Sequence, residues 1–116
     1  MISNEPTTAE RIDSLVKEKS LLANEAAKLD KLLALRNDPV FHELIIEGFC
    51  TTEAADYVRT SVNPSLDKEG QEHALAMAQA AGHFLVWLQI QMNKANNAVT
   101  NIARIDEELQ EIHRGE

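Results

Sequence analysis

From Gln71 to Glu116 no proline interrupts the chain, and apolar side chains recur at alternating steps of three and four. The series is Ala74, Met77, Ala81, Phe84, Leu88, Gln91, Ala95, Ala98, Ile102, Ile105, Leu109 and Ile112, with Gln91 its one polar member. That period belongs to one face of an α-helix and not to the two-residue alternation of a strand. It predicts a single long helix over residues 66–113, starting at Leu66 or Gln71. Asn93, Asn96, Asn97 and Asn101 lower helix propensity in its second half, so a kink or fraying is expected there.

A second series runs Ile12, Leu15, Lys19, Leu22, Ala26, Leu29 and Leu33, a heptad seam with Lys19 as its polar interruption. Thr7 and Glu10 have capping-box spacing ahead of it, and Asn37-Asp38-Pro39 comes after it. Proline disfavours helical geometry in the residue before it. The first long helix is therefore expected over residues 8–36, behind a flexible tail over 1–7. Between the long helices, Pro39 to Glu47 reads as a short helix broken by Gly48. Thr51 or Thr52 then caps a second short helix from Glu53 to about Thr60, so short helices fill residues 39–62. Asn63-Pro64-Ser65 is a loop. The expected fold is all-α and forms a single domain over residues 1–116. It is a long antiparallel hairpin of coiled-coil-like N- and C-terminal helices with two short helices between them. Its seam is carried by Ile12, Leu15, Leu22, Leu29, Leu33, Ile102, Ile105, Leu109 and Ile112.

Composition agrees with helix packing. Aromatic residues are 4% of the chain, so a core must come from Leu, Ile, Val, Ala and Met; four glycines and three prolines leave few turns. The net charge of −8, with Lys and Arg scattered, disfavours binding to phosphate backbones. One cysteine, Cys50, cannot close an internal disulfide, which suggests a reducing compartment. Met1 to Thr8 has neither the basic start nor the apolar run of a signal peptide. Phe84 to Ile90 is too short to span a bilayer.

No constellation points to catalysis, a cofactor or a metal, and the chain is expected not to be an enzyme. His42, His73, His83 and His113 include no pair at the i, i+4 spacing of a helical zinc site. Cys50 near the cap of a Thr52 helix could have a lowered thiol pKa, with His42 as its local base; a buried structural cysteine is the simpler reading. Glu43, Glu47 and Glu53 could supply a carboxylate pair, but Glu43 and Glu47 at i, i+4 read more simply as one solvated face. Thr51 to Tyr57 is similar to the opening helix of a helix-turn-helix DNA reader. In place of a recognition helix, the chain then continues into Asn63-Pro64 and an acidic segment.

Asn37-Asp38-Pro39-Val40-Phe41-His42-Glu43-Leu44-Ile45-Ile46-Glu47-Gly48-Phe49 leads to Glu53-Ala54-Ala55. Asn63-Pro64-Ser65-Leu66-Asp67 and Ala80-Ala81-Gly82-His83-Phe84-Leu85 come after it. In order and spacing these segments resemble a family of small, acidic, helical proteins of tailed bacteriophages. The resemblance covers Asn37 to Leu88, less than half of the chain. Cys50, Asp56 and Tyr57 depart from it, standing where Phe or Tyr, Arg and Leu are expected. The resemblance implies a viral origin and a role in the infected bacterial cell or the particle. It implies no reaction and carries no site residues.

Phe84 to Met92 is apolar around much of its circumference, a pattern of segments buried on several sides. Phe84, Leu85, Trp87, Ile90 and Met92 are therefore the expected subunit interface. The expected function is an oligomeric phage protein acting through protein–protein contacts, as an assembly factor, a minor virion component or an adaptor. Its partners would be itself and another viral or host protein, with no nucleic acid and no membrane, in the host bacterial cytoplasm or the virion. The alternative is a small acidic inhibitor of a host enzyme or defence complex.

Overall fold

The computed structural model describes residues 5–115, of which 89% are helical and none are in strands. Residues 1–4 of the expected tail lie outside the described residues. Glu5, Pro6 and Thr7 precede the first helix, α1 (Thr8–Arg36). Its start is fixed by Thr7, whose Oγ1 accepts the Glu10 N–H at 3.1 Å and whose carbonyl accepts the Arg11 N–H at 2.9 Å. One of the orphan donors of the first turn is thereby satisfied by a side chain. At the other end Asp38 stops α1 and starts the next element. Its Oδ1 accepts the N–H groups of Val40 (2.8 Å) and Phe41 (3.0 Å), with Pro39 at the first helical position.

From Pro39 to Ser61 the backbone stays helical, but its hydrogen bonding changes twice. A short α2 (Pro39–Phe41) widens into a π-helical segment (His42–Glu53), which tightens again into α3 (Ala54–Ser61). The expected break at Gly48 and helix cap at Thr51 or Thr52 do not occur. The Ala54 N–H reaches back to the Phe49 carbonyl, five residues away, and Thr51 Oγ1 donates to the Ile46 carbonyl at 2.8 Å, also five back. Gly48 permits the wide turn instead of ending it. A Cβ there would lie 3.1 Å from the Glu43 carbonyl oxygen, a tighter approach than most side chains tolerate.

Thr60 Oγ1 and Ser61 Oγ donate to the carbonyls of Asp56 (2.9 Å) and Val58 (2.6 Å) in the last turn of α3. Competition of this kind weakens a helix end. Asn63 then organises the loop: Oδ1 accepts the Ser65 N–H at 3.0 Å, and the Asn63 carbonyl accepts from Gln71 Nε2 at 2.7 Å. Asp67 caps the last helix through the Gly70 N–H at 2.7 Å. That helix, α4 (Lys68–Arg114), is 47 residues of unbroken α-helix. The fraying considered near its asparagines is absent, since Asn93, Asn96, Asn97 and Asn101 all lie within continuous α-helix.

The chain divides into two compact units. One contains residues up to Lys31 together with those from Met92 onward; the other contains Leu32–Gln91. In the first, α1 and the later part of α4 pack against each other as an antiparallel pair. Its buried side chains are Leu15, Met92, Ala95, Ala98 and Ile105, the last with no exposed surface. Ile12, Leu22, Leu29, Ile102, Leu109 and Ile112 are half-buried along the same seam. Lys19, the polar interruption, is answered by Asp106 of α4 at 2.6 Å, and Arg104 bridges Glu18 (3.4 Å) and Glu108 (2.9 Å). In the second unit the buried side chains are Ala74, Ala81 and Leu88, with Leu33 half-buried. Two of those three are alanines, and the larger apolar side chains Phe41, Ile45, Ile46, Phe49, Tyr57 and Phe84 are half-buried.

Candidate interaction surface

The surface is built on α4 within the second unit. Ala74, Ala81 and Leu88 point inward, so the residues half a turn away point outward. Phe84 is half-buried and links the two sides. Its ring lies 6.3 Å from Phe41 in a tilted pair and 6.0 Å from Trp87 in a stacked one. Such aromatic pairs add about 0.5–1.5 kcal/mol beyond the area they bury. Trp87 is therefore anchored on one face while half of its surface stays exposed (51%). Val86 (58%) and Ile90 (45%) are exposed beside it, and Leu75 and Leu85 are exposed as well.

Of the expected interface residues, Phe84, Leu85, Trp87 and Ile90 thus retain accessible surface. Met92 does not: it is 4% exposed and belongs to the chain's own core. It stands four residues after Leu88 and three before Ala95, both buried, while Gln91 is half-buried. At this turn the buried face takes in Met92, with Gln91 half-buried at its edge, and returns to the counted series at Ala95, Ala98 and Ile105.

One signal in the sequence marks this face more sharply than the seam does. From His73 to Asn93 the chain has no Asp, Glu, Lys or Arg, although 26% of all residues are charged. Within that run the exposed positions are uncharged: Leu75, Ala76, Gln79, Ala80, Gly82, His83, Val86, Trp87 and Ile90 are among them. Outside α4, Val40, Leu44, Val58 and Val62 of the same unit are also exposed. No helix among the described residues is long and apolar enough to cross a membrane.

The remaining candidate chemistry is dispersed. His42 Nδ1 lies 3.4 Å from Glu47 Oε1 on an exposed face, while His73, His83 and His113 are exposed on α4. Among the described residues no three His, Cys, Asp or Glu side chains are grouped to hold a metal ion. Cys50 is half-buried inside the π-helical segment and not at a helix N-terminus, and burial pushes its thiol pKa up. That is the direction opposite to activation as a nucleophile. An open hollow of about 600 Å³ is lined by Arg36, Asn37, Pro39, His42, Glu43 and Glu47. It mixes the Arg36 guanidinium with the carboxylates of Glu43 and Glu47 and converges on no single ligand chemistry. Thr51 to Tyr57 straddles the end of the π-helical segment and α3 and does not open a separate helix. Comparison with protein-family models, curated proteins and solved structures found no match to this chain.

Proposed function

We propose that this chain is a non-enzymatic, self-associating helical protein that works through protein–protein contacts. In a tailed bacteriophage its role would be that of an assembly factor, a minor virion component or an adaptor. The observation that carries the reading is the exposed, uncharged face of α4 around Val86, Trp87 and Ile90. A helix face with half-exposed tryptophan and aliphatic side chains gains from being covered, by about 25 cal/mol for each Å² of apolar surface removed from water. Catalysis has no comparable support: among the described residues no three His, Cys, Asp or Glu side chains are grouped to hold a metal ion, and burial pushes the Cys50 thiol pKa up. The phage setting rests on the resemblance of Asn37 to Leu88 alone.

Sedimentation of the purified protein at micromolar concentration tests the reading. At least twice the monomer mass is expected, and Trp87→Glu should move the protein toward monomer with its helicity retained. A parent protein that sediments as a compact monomer overturns self-association. Retention of the protein in purified particles supports the assembly role. Its absence there, with one host protein bound stoichiometrically, replaces that role with the inhibitor reading, to which the net charge of −8 is suited.

A further inference from the structure

The π-helical segment His42–Glu53 runs for 12 residues between two α-helical pieces, α2 and α3. Helix that closes on the fifth residue is rare and occurs mostly as single turns. A run of this length therefore needs something to hold it. Packing does not supply the hold, because none of its side chains is fully buried. The backbone does not supply it either. Phe41 and His42 at one junction, and Glu53 and Ala54 at the other, have ordinary right-handed α dihedrals. At the second junction the Ala54 N–H is shared between the Phe49 carbonyl, five residues back, and the Thr51 carbonyl, three back. The helix changes width without a break and without a strained residue.

Three features belong to the wide register alone. The Thr51 hydroxyl donates to the Ile46 carbonyl, five residues back, at 2.8 Å. His42 Nδ1 lies 3.4 Å from Glu47 Oε1, again five residues apart. Gly48 leaves room beside the Glu43 carbonyl oxygen, which a Cβ would approach to 3.1 Å. In an α-helix, residues five apart point about 140° away from each other around the axis. There the Thr51 hydroxyl would turn to the carbonyl four residues back, the usual acceptor for threonine in a helix. His42 would face Ile46, and Glu43 and Glu47 would stand at the i, i+4 spacing where like charges oppose a helix. Thr51, His42 and Glu47 are all exposed, so solvent reaches each of these ties.

We propose that His42–Glu53 is a two-register element, π-helical while these ties hold and α-helical when they are cut. Either register pairs the interior N–H groups with carbonyls of the same segment, so the exchange strands no backbone group. Its effect reaches beyond the segment. A wider turn takes more residues, so rewinding 12 of them to 3.6 per turn rotates α3 about the helix axis and lengthens the element. Val40 of α2 and Val58 of α3, both exposed, then change direction relative to each other. The register sets which apolar side chains the middle of the chain presents together, whatever covers the face of α4.

Hydrogen-bond couplings measured by NMR on the full-length chain read the register directly. In the parent the Ala54 N–H should couple to the Phe49 carbonyl and not to that of Cys50. Gly48→Ala combined with Thr51→Val should move the coupling to Cys50, four residues back, with the helicity seen by circular dichroism unchanged. Thr51→Ser keeps the hydroxyl and should keep the parent coupling. Thr60→Val removes a hydroxyl that bonds four residues back, to Asp56 within α3, and should leave the register alone. A parent already coupled to Cys50 overturns the proposal. So does a double variant that keeps the Phe49 coupling, since the ties then do not hold the register. A double variant that loses helicity has no α register to enter, and overturns it as well. A register shift in Thr60→Val overturns the assignment to these ties.

Discussion

Ile105 and Leu29 belong to the same seam, but the structure separates them. Ile105 has no exposed surface and Leu29 is half-buried. A carboxylate placed at a fully buried site is stripped of water with no partner, whereas one at a half-buried site keeps part of its hydration. Ile105→Asp should destabilise by several kcal/mol and Leu29→Asp by clearly less, as read from urea midpoints. Equal losses would mean that the seam is packed uniformly, against the difference in burial between the two side chains. Lys19 gives the opposite contrast. Its pair with Asp106 is short, but both side chains are 43% exposed. Exposed ion pairs contribute about 0–1 kcal/mol, so Lys19→Met should change stability by no more than that. The polar interruption that the heptad pattern flags is thus a seam position at the edge of solvent, where a long side chain lays its stem on the core and its ammonium on a carboxylate.

Among the elements, the ones marked by local chemistry were legible in the sequence. The bounds of α1 follow from Thr7 and Glu10 at one end and Asp38-Pro39 at the other; the Thr7 hydroxyl accepts the Glu10 N–H, and the Asp38 carboxylate accepts the N–H groups of Val40 and Phe41. The π-helical segment was not legible. An apolar run such as Leu44-Ile45-Ile46 looks the same whether the backbone closes on the fourth or the fifth residue, and Gly48 reads as a breaker in either case. The exposed face of α4 was legible only as an excess of apolar residues. Its mark, the charge-free run from His73 to Asn93, is a feature of what is missing and escapes a search for apolar spacing. The two glycines provide a test at this scale. In ordinary exposed helix, Gly→Ala adds about 1 kcal/mol of stability. Gly82→Ala should show that gain when measured at concentrations low enough to keep the chain monomeric, since its Cβ meets nothing. Gly48→Ala should show markedly less, because its Cβ would press on the Glu43 carbonyl 3.1 Å away in the widened turn. Denaturant midpoints of the two variants side by side check the difference; equal gains would mean that the wide turn does not depend on glycine.

At the scale of the whole molecule, charge and the uncharged face pull in opposite directions, and salt separates them. Two chains of −8 repel each other over distances comparable with the Debye length, about 30 Å at 0.01 M salt and 8 Å at 0.15 M. The face proposed to join them holds no ion pair that salt could weaken. Its attraction comes from apolar surface, which salt at these concentrations leaves largely unchanged. Raising ionic strength from about 0.01 M to 0.15 M therefore screens the repulsion and spares the attraction, so dimerisation should tighten. An interface built on ion pairs responds with the opposite sign: salt loosens it, and protonating its carboxylates breaks it. Sedimentation equilibrium across a salt series at fixed pH reads the sign directly. Dissociation that increases with salt would move the contact away from Val86, Trp87 and Ile90 to the charged faces of the chain.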